Sequence, residues 1–279
     1  MTSAKQLHLP ARRIACWFMA SALVLISGCV SRATVPPAAR ADLTPTGKLR
    51  VGLILSNQVL VTKDSTTGEL RGVTIHLGKA LAQRLGVPFE PVGYANPAAL
   101  VKSFAANDWD IAFLAYDPAR AKDVDFSPPY MEVDNTYLVT ANSKVATVEG
   151  ADRPGVTIAV PERSAPDLFL SRNLKSAQVL RVPGGAEAAI QAVTSGKADA
   201  YAENAHNLSL YAERLPGARV LEGRYTVIQH AIATSKGKTA AAEYVKAFVE
   251  EAKADGTVAE AIRAGGLRRT RVAPPSQTK

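Results

Sequence analysis

The sequence predicts an α/β fold in two similar lobes, each built on a largely parallel sheet. Three patterns carry that prediction. Ile111, Ala112, Phe113, Leu114 and Ala115 form an unbroken apolar run, as expected of a strand covered on both faces. Short apolar runs alternate with amphipathic stretches, and the alternation restarts near residue 156, which implies a parallel sheet in each half. The halves also share a spacing. Val101, Phe104, Asn107 and Asp110 stand three apart, as do Ile190, Val193, Gly196 and Asp199. Each set reads as an amphipathic helix, a stop that tolerates the left-handed region, and a strand opened by Asp.

Taken in order, the first residues do not belong to this fold. Lys5, Arg12 and Arg13 precede an apolar run from Ile14 to Ile26 that is too short to span a membrane, so residues 1–28 read as an export signal. Ile26-Ser27-Gly28-Cys29 is similar to a bacterial lipobox, which would make Cys29 the acylated N-terminus of the mature chain. An ordinary cleaved signal is the alternative. Residues 29–46 carry Pro36, Pro37 and Pro45 and read as a flexible tether.

Leu49–Leu55 is the first expected strand, and Thr66-Thr67-Gly68 marks a hairpin turn. A helix is expected over Thr74–Leu85, with Leu77, Leu81 and Leu85 on one face and Gly86 as its stop. Phe89–Tyr94 follows as a strand, Asn96-Pro97 opens a helix, and Asp110–Ala115 is the buried strand. The apolar stretch Thr136–Thr140 ends the first half. In the second, strands are expected at Val156–Val160, Gln178–Val182 and Ala198–Ala202, with helices at Ala186–Thr194 and Asn204–Leu215. Ser164-Ala165-Pro166-Asp167 is similar to a capping box. A strand at Val227–Ala233 and helices at Thr239–Ala254 and Thr257–Ala264 then need a surface to cover. The first lobe is short of helices, so the chain is expected to leave it near residue 141 and return near 226, making a hinge of two strands.

Composition limits the function classes. The chain has 279 residues, 47% hydrophobic and 21% charged, a globular balance. Its net charge is +8, and loss of residues 1–28 leaves 30 Lys and Arg against 25 Asp and Glu, or +5. The one basic cluster, Arg268, Arg269 and Arg271, lacks interleaved aromatics, so no nucleic acid partner is expected. Of the two cysteines, Cys16 leaves with the signal, so stability must come from the core rather than a disulfide. His8, His76, His206 and His230 are scattered, and no metal or cofactor is expected.

The candidate site follows the buried strand. At Asp117-Pro118 the apolar run stops in a helix-start pattern, and Arg120 lies in that first turn. A fixed cation therefore sits at the carboxyl edge of a sheet, where open α/β folds bind ligands. Its planar fork matches a carboxylate. A solvated helix-start residue, or one paired with Asp117 or Asp123, is the alternative.

With those residues in view, the chain resembles the bacterial extracellular solute-binding proteins of ABC importers, in particular the amino-acid-binding family (family 3). The resemblance runs from about 47 to 267. It rests on Asp110, Arg120 and Phe126-Ser127-Pro128-Pro129-Tyr130, supported by Gly68-Glu69-Leu70-Arg71-Gly72 and Gly196-Lys197-Ala198-Asp199-Ala200. It implies a type II periplasmic-binding fold: lobe 1 over 47–140 and 228–268, lobe 2 over 141–227, a two-strand hinge and a disordered tail over 269–279.

The resemblance also implies that Arg120 binds a carboxylate, helped from lobe 2 by Ser164 and Ala165 at a helix start. It places Asn204, with Glu203 adjacent, where the family holds a ligand ammonium. The loop residues Tyr116 and Asp117 and the strand-end residues Ser56, Asn57 and Tyr94 complete the expected crevice, although Tyr94 reads equally well as core. The departures are Asn204 in place of an acid, a short 115–117 loop without Ser or Thr, and His76 where an acid is common. They favour a small carboxylate-bearing solute over a strict α-amino acid. The implied setting is a periplasmic monomer, anchored to the membrane through Cys29 and serving an ABC permease in the inner membrane. A cyclohexadienyl-dehydratase-like enzyme using Glu203 or His230, or a ligand sensor without transport, is the alternative.

Overall fold

The computed structural model describes residues 1–2 and 34–276. The body of the expected export signal and Cys29 lie outside the described residues.

Lobe 1 is laid on β1 (Leu49–Ile54), which pairs in parallel with β4 (Phe89–Tyr94) on one side and β5 (Ile111–Ala115) on the other. All five residues of β5 are buried. The hairpin expected at Thr66-Thr67-Gly68 joins β2 (Thr62–Lys63) to β3 (Leu70–Arg71). It leads into α2 (Val73–Leu85), which buries Leu77, Leu81 and Leu85 and stops at Gly86 in the left-handed region, φ 68°. Asn96 caps α3 (Pro97–Lys102) by accepting from the Ala99 amide at 2.9 Å. Beyond β5 the expected helix is only a 3₁₀ turn, Arg120–Lys122, followed by the short β6 (Val124–Phe126).

Lobe 2 is laid on β8 (Thr157–Pro161), parallel to β9 (Gln178–Val182) and β10 (Ala200–Asn204). Its helices are α4 (Ala165–Asn173), α5 (Gly185–Thr194) and α6 (Ala205–Ala212). Successive strand residues feed opposite faces. Ile158, Val160, Ala200 and Ala202 enter one core, Ala159 and Tyr201 the other.

The long strands β7 (Met131–Val139) and β12 (Thr226–Ser235) pair antiparallel and pass through both lobes. They join the two expected sheets into one hydrogen-bonded path, β4-β1-β5-β12-β7-β10-β8-β9, with β6 on β12 and β11 (Arg219–Val220) on β7. The cores stay separate on either side of this crossing. α7 (Thr239–Ala254) and α8 (Thr257–Ala264) return to lobe 1 and bury Val245, Phe248, Val249 and Ile262 in its core.

Two terminal segments differ from expectation. The tether carries a helix, α1 (Pro37–Leu43), whose Ala39 and Leu43 are buried and which packs on α7. A Pro at its first turn and two apolar residues one turn apart suffice once α7 offers a surface. The expected disordered tail carries β13 (Thr270–Val272), a third strand at the hinge, paired with Met131–Val133 of β7. Just before it, the Arg268 amide donates to His206 Nδ1 on α6 at 3.2 Å, and Arg268 meets Glu213, the residue that ends that helix, at 2.7 Å. The Arg-rich stretch therefore straps the hinge to lobe 2.

Candidate functional site

The carboxyl ends of β1 and β5 face those of β8 and β10 across a small cavity of about 40 Å³. Seven residues singled out from sequence line it: Ser56, Asn57 and Arg120 from lobe 1, and Ser164, Ala165, Glu203 and Asn204 from lobe 2.

Arg120 is 5% exposed. Its Nη1 donates to the Ala115 carbonyl at 2.8 Å, which holds the side chain against the end of its own strand. Nη2 crosses the gap to the Arg163 carbonyl at 2.6 Å, while Nε has no partner among the described residues. Burial pushes the guanidinium down to about 10, still fully charged at neutral pH. Arg163 itself sits in the left-handed region, φ 59°, with its amide held by Asp167 Oδ2 at 2.9 Å. The carbonyl that receives Arg120 is thereby fixed.

On the lobe 2 side Ser164 caps α4, accepting from the Asp167 amide at 3.2 Å. The helix start with its positive dipole end thus borders the cavity through Ser164, Ala165 and Pro166. Asn204 caps α6 through the Asn207 amide at 2.8 Å. Glu203 turns back toward Asn204, its Oε1 accepting from the Asn204 amide at 2.8 Å and from Nδ2 at 2.9 Å. Burial still raises its carboxyl above the usual range, against those two donors. Among the described residues Oε2 has only the Tyr201 hydroxyl, at 3.5 Å.

Three contacts hold the walls together. Besides Arg120 to Arg163, Asn57 Oδ1 accepts from Asn207 Nδ2 at 3.1 Å and Asn204 Nδ2 at 3.4 Å. Asp117 takes both arms of Arg172, at 2.6 and 3.3 Å. Asp117 therefore does not line this cavity, and its carboxylate makes no hydrogen bond to the Arg120 guanidinium among the described residues, although its charge favours the charged form of Arg120. It caps its own turn through the Ala119 amide and latches α4. Tyr116, 44% exposed, packs edge-on against Phe126 and borders a separate outer depression. Tyr94 takes the second of its two expected places and is a correction to the crevice: it packs against the lobe 1 core, its hydroxyl buried and without a partner among the described residues.

The hinge also lines the cavity: β7 supplies Asn135 and β12 supplies Ile228, neither singled out from the sequence, and His230, named there only for the enzyme alternative. His230 stands opposite Ala115 in the sheet and is 4% exposed. Burial, with the charge of Arg120, pushes its imidazole down to about 3. Among the described residues no group of three His, Cys, Asp or Glu is placed to hold a metal ion. The arrangement suits an anion at Arg120 and the α4 start, with hydrogen-bond acceptors at the opposite end.

A family model described as bacterial extracellular solute-binding proteins, family 3, matches residues 49–264. The ABC transporter glutamine-binding protein GlnH of Bacillus subtilis is 24% identical over 246 residues, 84% of this chain and 89% of that protein. In three dimensions the chain is similar to the P235GK mutant of ArgBP from T. maritima, with a TM-score of 0.69, 24% identity, and coverage of 82% of this chain and 99% of that one. It is also similar to an ancestral amino acid-binding protein, AncCDT-1, a precursor of cyclohexadienyl dehydratase. There the TM-score is 0.68, the identity 28%, and the coverage 81% and 97%. The fold is thus the type II periplasmic-binding architecture.

Proposed function

The chain belongs to the bacterial extracellular solute-binding proteins, family 3, and from that premise we propose that it captures a small amino acid by its carboxylate for an ABC importer. The observation that carries this reading is Arg120: a buried cation with an unpartnered Nε, in a cavity shared by both lobes. A ligand carboxylate there is bonded from lobe 1 by the guanidinium and from lobe 2 by the start of α4, so it stabilises the closed form over the open one. The glutamine-binding relative favours an amino acid, and Glu203 Oε2 gives an ammonium its acceptor. Glu203 Oε1 is already taken by two donors, which favours a binding role over that of a general acid.

The lipobox around Cys29 supports a lipid-anchored receptor outside the cytoplasm, presenting its solute to an inner-membrane permease. A thermal-shift screen over the twenty amino acids, dicarboxylates and aromatic acids tests the ligand class. An amino acid at a hundred times its Kd adds about 2.7 kcal/mol, roughly 5–10 °C in Tm for a body of this size. No shift from any amino acid contradicts the reading. Incorporation of labelled palmitate into the wild type but not into Cys29→Ala tests the anchor.

A further inference from the structure

The basic cluster Arg268, Arg269 and Arg271 does not line the cavity. It lies in a C-terminal segment whose two ends are held in lobe 1. Leu267 packs on the lobe 1 core before it, and Val272 does so after it, where the Ala273 amide also donates to the Tyr130 carbonyl at 3.1 Å. Between those fixed ends the segment meets lobe 2. The Arg268 amide bonds His206 in the first turn of α6, and its guanidinium reaches Glu213 at the far end of that helix, roughly 10 Å further along. Arg269 donates to the carbonyl of Gly223, in the loop between β11 and β12, and its Nε approaches Asp134 at 3.5 Å.

The sheet register puts this segment at the bend. β13 pairs with Met131–Val133 on the edge of β7 away from β12, and β10 pairs with Asn135–Leu138 on that same edge. Asp134 lies between the two pairings. Its amide donates to the Arg269 carbonyl at 3.0 Å, and its carboxylate meets Arg271 at 3.0 Å and both Arg269 and Arg224 at 3.5 Å. Burial opposes its charge, yet the arginines hold the carboxyl below the usual carboxylate range. Arg269 takes φ 51°, a conformation that a residue with a side chain keeps only where its surroundings hold it. That turn aims its carbonyl at Asp134 and its guanidinium at lobe 2.

Rotation about β7 and β12 preserves contacts on the axis and changes those away from it. The contacts on α6 and at Gly223 belong to lobe 2, while the backbone that makes them is pinned to lobe 1. Opening the cleft therefore stretches or breaks them. We propose that residues 267–273 form a closing splint, in which Arg268 and Arg269 are positioning residues that hold lobe 2 in the closed arrangement and raise affinity for the solute without touching it. The inference rests on the reading of this chain as a cleft that closes on a solute, and it names residues outside the cleft that set how far the free protein is already closed. A larger closed fraction tightens binding in proportion, and release slows because opening must also undo the splint.

The test places spin labels by Lys79→Cys in lobe 1 and Lys197→Cys in lobe 2, in a Cys29→Ser background, with no solute added. Arg269→Ala removes the Gly223 and Asp134 side-chain contacts and leaves the β13 ladder, whereas a chain ended after Leu267 removes the whole splint. Both are expected to move the distances longer, the truncation further. In calorimetry with L-glutamine, L-arginine and L-cysteine, Arg269→Ala is expected to raise the Kd of whichever binds about threefold and the truncation about tenfold, since each net hydrogen bond is worth a factor of about two to ten. Lys253→Ala is the control. It frees the tail at the Pro274 carbonyl, touches no lobe 2 contact, and should leave both readouts unchanged. Wild-type distances and Kd in Arg269→Ala and in the truncation overturn the inference, as does an equal shift in Lys253→Ala, which would mark general loosening. Should the truncated chain not fold, Arg269→Ala alone decides. Absence of binding by the wild type counts against the amino-acid reading only, because the solute-free distances still decide the splint.

Discussion

The two lobes use one device at different depths. In lobe 1 the Asp110 carboxylate accepts from the Arg50 amide at 2.8 Å while its own amide donates to the Arg50 carbonyl, tying β5 to β1. In lobe 2 Asp199 does the same with Thr157 at 2.8 Å, tying β10 to β8. Asn107 and Gly196, three residues before each Asp, both sit in the left-handed region, φ 58° and 76°. The charge partners differ. The Asp110 side chain is 0% exposed and grips Arg50 at 2.7 Å, whereas Asp199 is 22% exposed and meets a half-exposed Lys144 at 3.2 Å. The contrast extends to the cleft, where lobe 1 contributes buried Arg120 and His230 and lobe 2 contributes a helix start, neutral caps and Glu203. On the proposed reading, lobe 1 holds the anion through Arg120 and lobe 2 covers it.

The largest expected effect breaks the buried member of the pair. Asp110→Ala strands Arg50 and should cost about 3–5 kcal/mol. Asp199→Ala loses one amide bond and a screened ion pair, and should cost about 1–2 kcal/mol. Urea unfolding of both variants measures the gap, and equal losses would remove the distinction between the lobes. Arg120→Ala comes next. It should weaken binding of the cognate amino acid by ~2–5 kcal/mol in calorimetry, because the carboxylate then lies unpaired in the cleft.

His230 gives a pH signature. Its imidazole is held down to about 3 against 6.5 in the unfolded chain, so below pH 6.5 the unfolded state binds a proton that the native state does not. Stability therefore falls as pH drops from 6.5 toward 3, by roughly 1–2 kcal/mol between pH 6.5 and 5. His230→Phe should flatten that part of the urea-midpoint profile; an unchanged slope would place the loss elsewhere. The smallest effect belongs to the latch. Arg172 is 48% exposed, so Arg172→Ala should change ligand affinity by under ~1 kcal/mol, and the change should fade in 1 M salt.

Much of this was legible in the sequence because it is local. α7 and α8 carry the expected bounds, set by apolar spacing and by the Asp255-Gly256 break. Arg120 and Ser164 were visible because each follows a strand end, where turn and cap chemistry is written in neighbouring residues. Asn135 was not, and His230 was visible only as a candidate acid, since each sits inside a strand and reaches the cavity only when β7 meets β12 across nearly a hundred residues. Tyr94 failed for a related reason: a strand end offers two faces, and side chains alternate between them. Asp117 was readable as a cap, but its second role depends on Arg172, 55 residues away in the other lobe.

The central claim is that an amino acid held by Arg120 draws the lobes together. Spin labels placed by Lys79→Cys on lobe 1 and Lys197→Cys on lobe 2, in a Cys29→Ser background, report the separation directly. With the binding amino acid at saturation, the account predicts a shorter and narrower distance distribution in the wild-type cleft and no change in Arg120→Ala. A ligand that binds with measurable heat yet leaves the wild-type distribution unmoved would contradict it.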